Sequence, residues 1–185
     1  MQTGYISFCN GQALNIKSTD VKANILKTLD EMYGVKIINK HHELYSKDIS
    51  MAKFRKVPYL MSTKTNGNPY FLYCTRVNFT NTVIMIDKKI QQGYFHPRMI
   101  IVRLKFSDDT IYDNTLIDGE MVKDKNNEWI FLLSDVMVLR NVNLREEIFF
   151  KRLKHLYKVL EQDFKPHFQD IFSVQVKKYF EFKEA

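Results

Sequence analysis

Apolar and polar positions change rhythm along this chain. Near the N-terminus, within TDVKANILKTLDEMY, Val21, Ile25, Leu29 and Met32 recur every three or four residues, the spacing of one helical face. The pattern predicts a helix from Thr19 to Tyr33, with Ser18 or Thr19 as N-cap and Gly34 as the C-terminal stop. A second helix is predicted from about Leu144 to Phe164. Leu144, Ile148, Leu153, Leu156, Tyr157 and Leu160 form its apolar face, and Asn143 with Glu146 has capping-box spacing. Lys151, Arg152, Lys154, His155 and Lys158 make the rest of that helix basic, which reads either as a solvated face or as an RNA-contacting one.

Between the helices the rhythm shortens. PYLMST, PYFLYCT, NTVIMID, MIIVRLKF, NTLID, EMVK and EWIFLLSDVMVL are rich in β-branched and aromatic residues and read as strands, as does FSVQVKKYFEF near the C-terminus. Turns are predicted at Asn66-Gly67, at Asp118-Gly119 and in DKNNE. An Asn-Gly pair between apolar runs signals a hairpin, because both turn positions want positive φ. Helices at both ends of a strand-rich middle predict an α+β domain with antiparallel pairing. No repeat or Gly/Ser-rich linker divides the chain. A single domain over 1–185 is therefore expected, with a helical and extended region over 1–55 and a core over 56–185.

Composition adds charge to this picture. The 185 residues are 45% hydrophobic, enough for a buried core, and carry a formal net charge of +7. A basic surface favours a polyanionic partner such as nucleic acid or nucleotide phosphates. No run approaches the roughly 20 apolar residues of a membrane span, and the N-terminus does not read as a secretory signal, so no membrane partner is expected. Cys9 and Cys74 are too few for a disulfide scaffold or a cysteine zinc site; free thiols in the cytoplasm are the expectation. His41, His42, His96, His155 and His167 show no metal-ligand spacing, and no Walker A loop or Gly-x-Ser-x-Gly elbow is present.

Lys64, in STKTNGNP, sits beside the Asn-Gly pair. Alone it reads as a solvated lysine near a turn. It also has the placing of a nucleophile, provided that its surroundings help the ammonium lose a proton. The segments downstream add to that second reading. KTNG resembles the K-x-D-G motif of the lysine nucleotidyltransferases, the superfamily of mRNA capping enzymes and polynucleotide ligases. TVIMIDKKIQQGYF resembles their apolar strand followed by Asp-Arg and a turn. NTLIDGEMV resembles their D-G-E motif, EWIFLLSDVMVLRN an apolar strand ending in aspartate, NVNLREEIFFKRLKHL the helix that follows, and FSVQVKKYFEF the strand before the next glutamate motif. The order holds from Thr63 to Phe182. Asn-Pro after the glycine, in place of arginine, resembles capping enzymes of large cytoplasmic DNA viruses, which adds host cytoplasm or virion to the expected locations.

The resemblance implies an antiparallel-sheet nucleotidyltransferase domain, ATP-grasp-like, with flanking helices. It implies that Lys64 attacks the α-phosphate of GTP and forms a covalent lysyl-GMP, which then passes to the 5' diphosphate end of RNA. Thr63, Thr65, Asn66, Gly67, Lys88, Glu120, Asp135, Lys177 and Lys178 are the implied nucleotide-binding residues. Glu120 binds the ribose or helps place Mg²⁺ or Mn²⁺, Gly67 forms the turn that exposes Lys64, Asp118 shapes a turn, and Asp135 faces the pocket from a strand end. GTP, the RNA 5' end and another capping-enzyme domain or subunit are the implied partners.

The chain also departs from the pattern. Position 66 is Asn where the motif has Asp, and Lys88 stands where the family has arginine, giving a point charge rather than a fork. Ser134 occupies a place where an aromatic residue often stacks on the base, and Phe131 lies an odd number of positions away, on the opposite side of a regular strand. The family's E-G-x-x-x-K and K-x-K motifs and an OB-fold are expected to follow FEFKEA, the point at which the given sequence stops. A non-catalytic homologue that binds nucleotide, RNA or a capping partner, and an ATP-dependent polynucleotide ligase, remain as alternative readings.

Overall fold

The runs YFLYC and VIMI are continuously apolar rather than alternating, as expected of strands covered on both faces. A computed structural model describes residues 1–37 and 59–181. It contains a nine-stranded sheet. β1 (Thr3–Phe8) and β2 (Gly11–Ile16) form a hairpin that precedes helix α1 (Thr19–Tyr33). A short strand, β3 (Leu60–Met61), leads to the long pair β4 (Asn68–Val77) and β5 (Thr80–Asp87), then β6 (Met99–Val102) and β7 (Lys105–Phe106). After a 3-10 turn come β8 (Thr115–Lys123), β9 (Trp129–Leu139) and β10 (Val142–Asn143). Helix α2 (Phe149–Lys158), β11 (Phe164–Lys165), β12 (Ser173–Val176) and β13 (Phe180–Glu181) complete the described chain. The sheet runs β1-β2-β6-β5-β4-β8-β9-β10, antiparallel throughout, with β12 pairing parallel to β9.

Each central strand feeds two cores. Tyr70, Leu72, Val83, Met85, Ile117 and Phe131 point to one face, where Leu156 of α2 packs on them. Phe71, Tyr73, Ile84, Ile86, Leu116 and Val138 point to the other, under Ile25, Leu29 and Tyr33 of α1. Gly34 ends α1 in the left-handed conformation at φ 63°, donating to Leu29 and Asp30 carbonyls, which closes the helix where the sequence places its stop. Ser18 stands at the N-cap position but makes no side-chain cap; its hydroxyl accepts from Gln2 N.

Several expectations are corrected. Met32 is exposed, and Tyr33 takes its place under the sheet. The second helix starts at Phe149, not Leu144, because Asn143 belongs to β10 and its side chain accepts from Arg145 N instead of capping. This later start leaves Ile148 and Tyr157 exposed, and the last turn widens into a π-helix over Val159–Asp163. The chain opens with a hairpin that turns at Cys9-Asn10, with Phe8 opposite Gly11 and Cys9 at positive φ. Neither expected glycine turn forms. β3 pairs with β13, so Asn66-Gly67 joins no hairpin, and Asp118-Gly119 lies inside unbroken β8. The tight β4–β5 and β9–β10 turns are instead made by Asn78-Phe79 and Arg140-Asn141, all four at positive φ. DKNNE does turn, with Asp124 Oδ1 accepting from Asn126 N and Glu128 N. Pro58 of PYLMST, Phe182 of FSVQVKKYFEF, His41 and His42 lie outside the described residues.

Gly119 is required by contact. A Cβ there would stand 2.5 Å from Phe131 Cζ and 2.7 Å from the Leu132 carbonyl oxygen. Overpacking of this kind costs about 1–3 kcal/mol, whereas replacing a strand glycine by alanine returns about 0.5–1 kcal/mol. Gly119→Ala is therefore expected to lower the urea midpoint. A midpoint at or above wild type would show that β8 and β9 separate without cost.

Candidate active site

The two glycines that close no turn bracket the principal cleft. It lies on the α1 face of the sheet, encloses about 1180 Å³, and is lined by residues from both ends of the chain. Its floor comes from strand positions sharing one face: Pro69 and Phe71 of β4, Asp118 and Glu120 of β8, and Ser134 and Met137 of β9. Val35, Lys36 and Ile37, after α1, form one wall with Arg145. Lys64, Thr65 and Lys177 line the same cleft.

The Lys64 loop is fixed at both ends. Before it, Leu60 and Met61 pair with Glu181 and Phe180. After it, Gly67 lies so close to β8 that a Cβ would fall 2.3 Å from the Met121 carbonyl oxygen. At that approach Gly67 N donates to Glu120 Oε1 at 2.5 Å, and Thr65 Oγ1 donates to Glu120 Oε2. Lys177 Nζ reaches Thr65 Oγ1 at 3.4 Å from the other side. Glycine is thus needed at position 67 for backbone approach rather than for a turn. Lys64 itself is exposed, with its side chain lining the cleft.

Lys88 follows β5 and is only 10% exposed. Its Nζ holds both oxygens of Asp118, at 2.8 and 2.7 Å, and lies 4.5 Å from the Phe71 ring centroid. Asp118, expected to shape a turn, is therefore a cleft carboxylate paired with a lysine. Arg145 donates to the Tyr33 and Gly34 carbonyls at 2.8 and 2.9 Å, satisfying the C-terminal end of α1 while facing the cleft. Arg145 and Lys89 lie in segments that carry the resemblance but at positions it does not single out, and Lys36 lies outside them; only their positive charge was visible. Together the lining holds six cationic side chains against two carboxylates.

Lys64, Thr65, Gly67, Lys88, Glu120 and Lys177 are thus brought together. Thr63, Asn66 and Lys178 are exposed and do not line the cleft. Asp135 turns away from it, correcting the pocket-facing expectation. Register shifts on either side of the Ile117–Asp118 pair put Ser134 on the cleft face and aim Asp135 at α2. There Arg152 Nε and Nη2 hold its oxygens at 2.8 and 2.9 Å, and Arg152 also donates to the Glu147 carbonyl. That partnership raises the Arg152 pKa still further. Arg152 thus leaves the basic solvent face expected of its helix. Phe131 packs in the core on the α2 side, away from the cleft. Tyr179 OH donates to the Ser134 carbonyl at 2.8 Å and burial pushes its pKa up to about 12, so the phenol remains a donor at neutral pH.

Residues 20–184 match the family described as mRNA capping enzyme, catalytic domain. The chain belongs to this family. Its function is accordingly related to mRNA capping guanylyl transfer, and its mostly antiparallel sheet with two described helices is compatible with a nucleotidyltransferase-type α+β domain. No curated protein matches the chain. The β1–β2 hairpin lies before the matched stretch and extends this capping-enzyme sheet through β6. Among the described residues no helix is long and apolar enough to cross a membrane.

The Asp135–Arg152 pair is mostly shielded, with side chains 25% and 17% exposed. Hydrogen bonds to charged groups contribute about 1.5–3 kcal/mol. Asp135→Asn is expected to cost about 1–3 kcal/mol in urea unfolding while nucleotide affinity, read by calorimetry, stays near wild type. A lost affinity with unchanged stability would return Asp135 to the cleft.

Proposed function

We propose that this capping-enzyme domain is a guanylyltransferase whose nucleophile is Lys64. The observation that carries this reading is the shared cleft of Lys64 and Glu120, in which cations outnumber carboxylates three to one. Such a lining suits a triphosphate, whose charge must be balanced in the bound state and again as pyrophosphate leaves.

In the first step the free amine of Lys64 attacks the α-phosphorus of GTP. The N–P bond forms as the P–O bond to the β-phosphate breaks, pyrophosphate leaves with the electron pair, and the amine proton passes to solvent. Lys177, tethered beside Lys64 through Thr65, is suited to the phosphates. In the second step a terminal oxygen of the 5' diphosphate RNA attacks the same phosphorus, and the N–P bond breaks to return lysine. Glu120 holds the nucleophile's loop in place while lining the cleft.

The donor set fits a divalent ion carried mainly by the substrate. Among the described residues no group of three or more His, Cys, Asp or Glu is disposed to hold a metal. Mg²⁺ commonly uses one or two carboxylates together with substrate phosphates, and Glu120 is the cleft carboxylate not held by a lysine. Mg²⁺ or Mn²⁺ bound there would add charge neutralisation at the phosphates. Asn66, exposed beside the loop, leaves the cleft without the negative charge that the motif aspartate supplies in relatives.

Incubation with α-labelled GTP and Mg²⁺ or Mn²⁺, followed by denaturing electrophoresis, tests this reading. Label is expected on the wild-type chain and none on Lys64→Ala. Glu120→Ala frees the loop; a displacement of about 1 Å can cost on the order of 10²-fold, so labelling is expected to fall by about that factor. Label from ATP alone would place the chain with the ligases. Nucleotide binding without label from either would make it a non-catalytic member of the family.

A further inference from the structure

The β5–β6 connection leaves the cleft floor and ends in the open with two aromatic rings. It comprises the eleven residues between Asp87 and Met99, KKIQQGYFHPR, without a carboxylate among them. Its first residues, Lys88, Lys89 and Ile90, line the cleft. Further out, Tyr94 is 66% and Phe95 is 93% exposed. Aromatic side chains ordinarily bury about 150–250 Å² each, so two adjacent exposed rings are a surface with an occupant to find.

The loop presents these rings from an anchored base. Asp87 N donates to the Arg98 carbonyl at 2.9 Å, Asp87 Oδ1 accepts from Lys89 N at 2.9 Å, and Arg98 Nη2 donates to Tyr70 OH at 2.6 Å. Pro97 is buried. Gly93 takes a φ of 85° with open space around it, so the chain reverses there without burying its tip. The other exposed aromatic pair on a basic element, Phe150 and Tyr157, is carried by α2 on the opposite face of the sheet.

We infer that this loop is the landing platform for the single-stranded 5' region of the acceptor RNA. Tyr94 and Phe95 stack on its first bases and Lys89 meets its backbone. The inference rests on the proposed guanylyl transfer, which needs an RNA end at the mouth of the cleft while the bases behind it lie outside. Stacking platforms next to cations accept any base, since every base has a π face, and a cap acceptor requires that tolerance. A carboxylate-free loop beside a cationic cleft matches a polyanion better than a protein surface of mixed charge.

Binding of a short 3'-fluorescent, 5'-diphosphate single-stranded RNA, followed by anisotropy without GTP, tests the inference independently of labelling at Lys64. The Tyr94→Ala/Phe95→Ala chain is expected to raise Kd at least about tenfold. Tyr94→Trp/Phe95→Trp is expected to restore affinity. Lys89→Ala is expected to reduce the salt slope by about one. Thermal melts check that each variant is folded. Wild-type Kd in the folded double-alanine chain, no RNA binding by wild type, or a change in self-association in place of RNA affinity would overturn the inference.

Discussion

One carboxylate holds the proposed chemistry to the fold. Glu120 accepts from Gly67 N and from the Thr65 hydroxyl, so the loop carrying Lys64 is bound to the face of β8 rather than hanging over it. Ordering a residue costs roughly 1–2 kcal/mol of backbone entropy, and charged hydrogen bonds of this kind return about 1.5–3 kcal/mol each. Two such bonds offset part of the cost of ordering the residues between Met61 and Gly67, and the short β3–β13 pairing anchors the other side. The contact exists only because Gly67 has no Cβ. Gly119 serves the opposite face of the same strand, letting β8 close on Phe131. The side-chain period of two then puts Asp118 and Glu120 together over the cleft and the intervening glycine in the core.

The electrostatics follow from which charges the protein has already used. Lys88 is taken up by Asp118, and Arg145 is spent largely on the carbonyl end of α1. Lys36 lies 3.3 Å from Asp30. The charge that remains for a ligand is therefore carried by Lys64, Lys89 and Lys177, all of which line the cleft. Lys88 has a structural part of its own within the cleft. It neutralises Asp118 and covers Phe71, so the floor of the cleft stays closed without adding repulsion toward an incoming anion.

The sequence was most legible where periodicity alone decides. The first helix could be read to its ends, since a 15-residue apolar stripe stopped by Gly34 has few competing explanations. The central strands were legible for the same reason. Turn chemistry misled wherever a glycine was present for another purpose. Gly67 and Gly119 allow close approach, a property of the partner strand that local sequence does not carry. Asn78-Phe79 and Arg140-Asn141 turn without glycine because strands committed to their cores on both sides can impose positive φ. The β1–β2 hairpin turns at Cys9-Asn10, with Gly11 already paired in β2, so the Asn-Gly pair there does not mark the turn either. Asp135 was placed in the pocket by the resemblance, which carries no register; two register shifts between β8 and β9 accompany its turn toward α2. The motif order singled out Lys64, Gly67, Lys88, Glu120 and Lys177, which line one cleft; it did not single out Arg145, which lines the cleft while bonding the carbonyl end of a distant helix.

Strand order explains why residues so far apart in the chain form one site. β5, β4, β8, β9 and β12 are consecutive neighbours. Lys88 follows the first, Gly67 precedes the second, Glu120 lies in the third, Ser134 in the fourth, and Lys177 follows the fifth, with its backbone N bonded to the Leu133 carbonyl at 2.8 Å. The candidate site is thus a row across five strands, read perpendicular to the chain. Its spacing is set by hydrogen-bonded register rather than by loop conformation. A one-residue slip of β8 would send Glu120 into the core and Gly119 to the cleft, which the packing of Met121 and Ile117 against the α2-side core forbids. The same apolar burial that stabilises the sheet therefore fixes the carboxylate to which the Lys64 loop is tied.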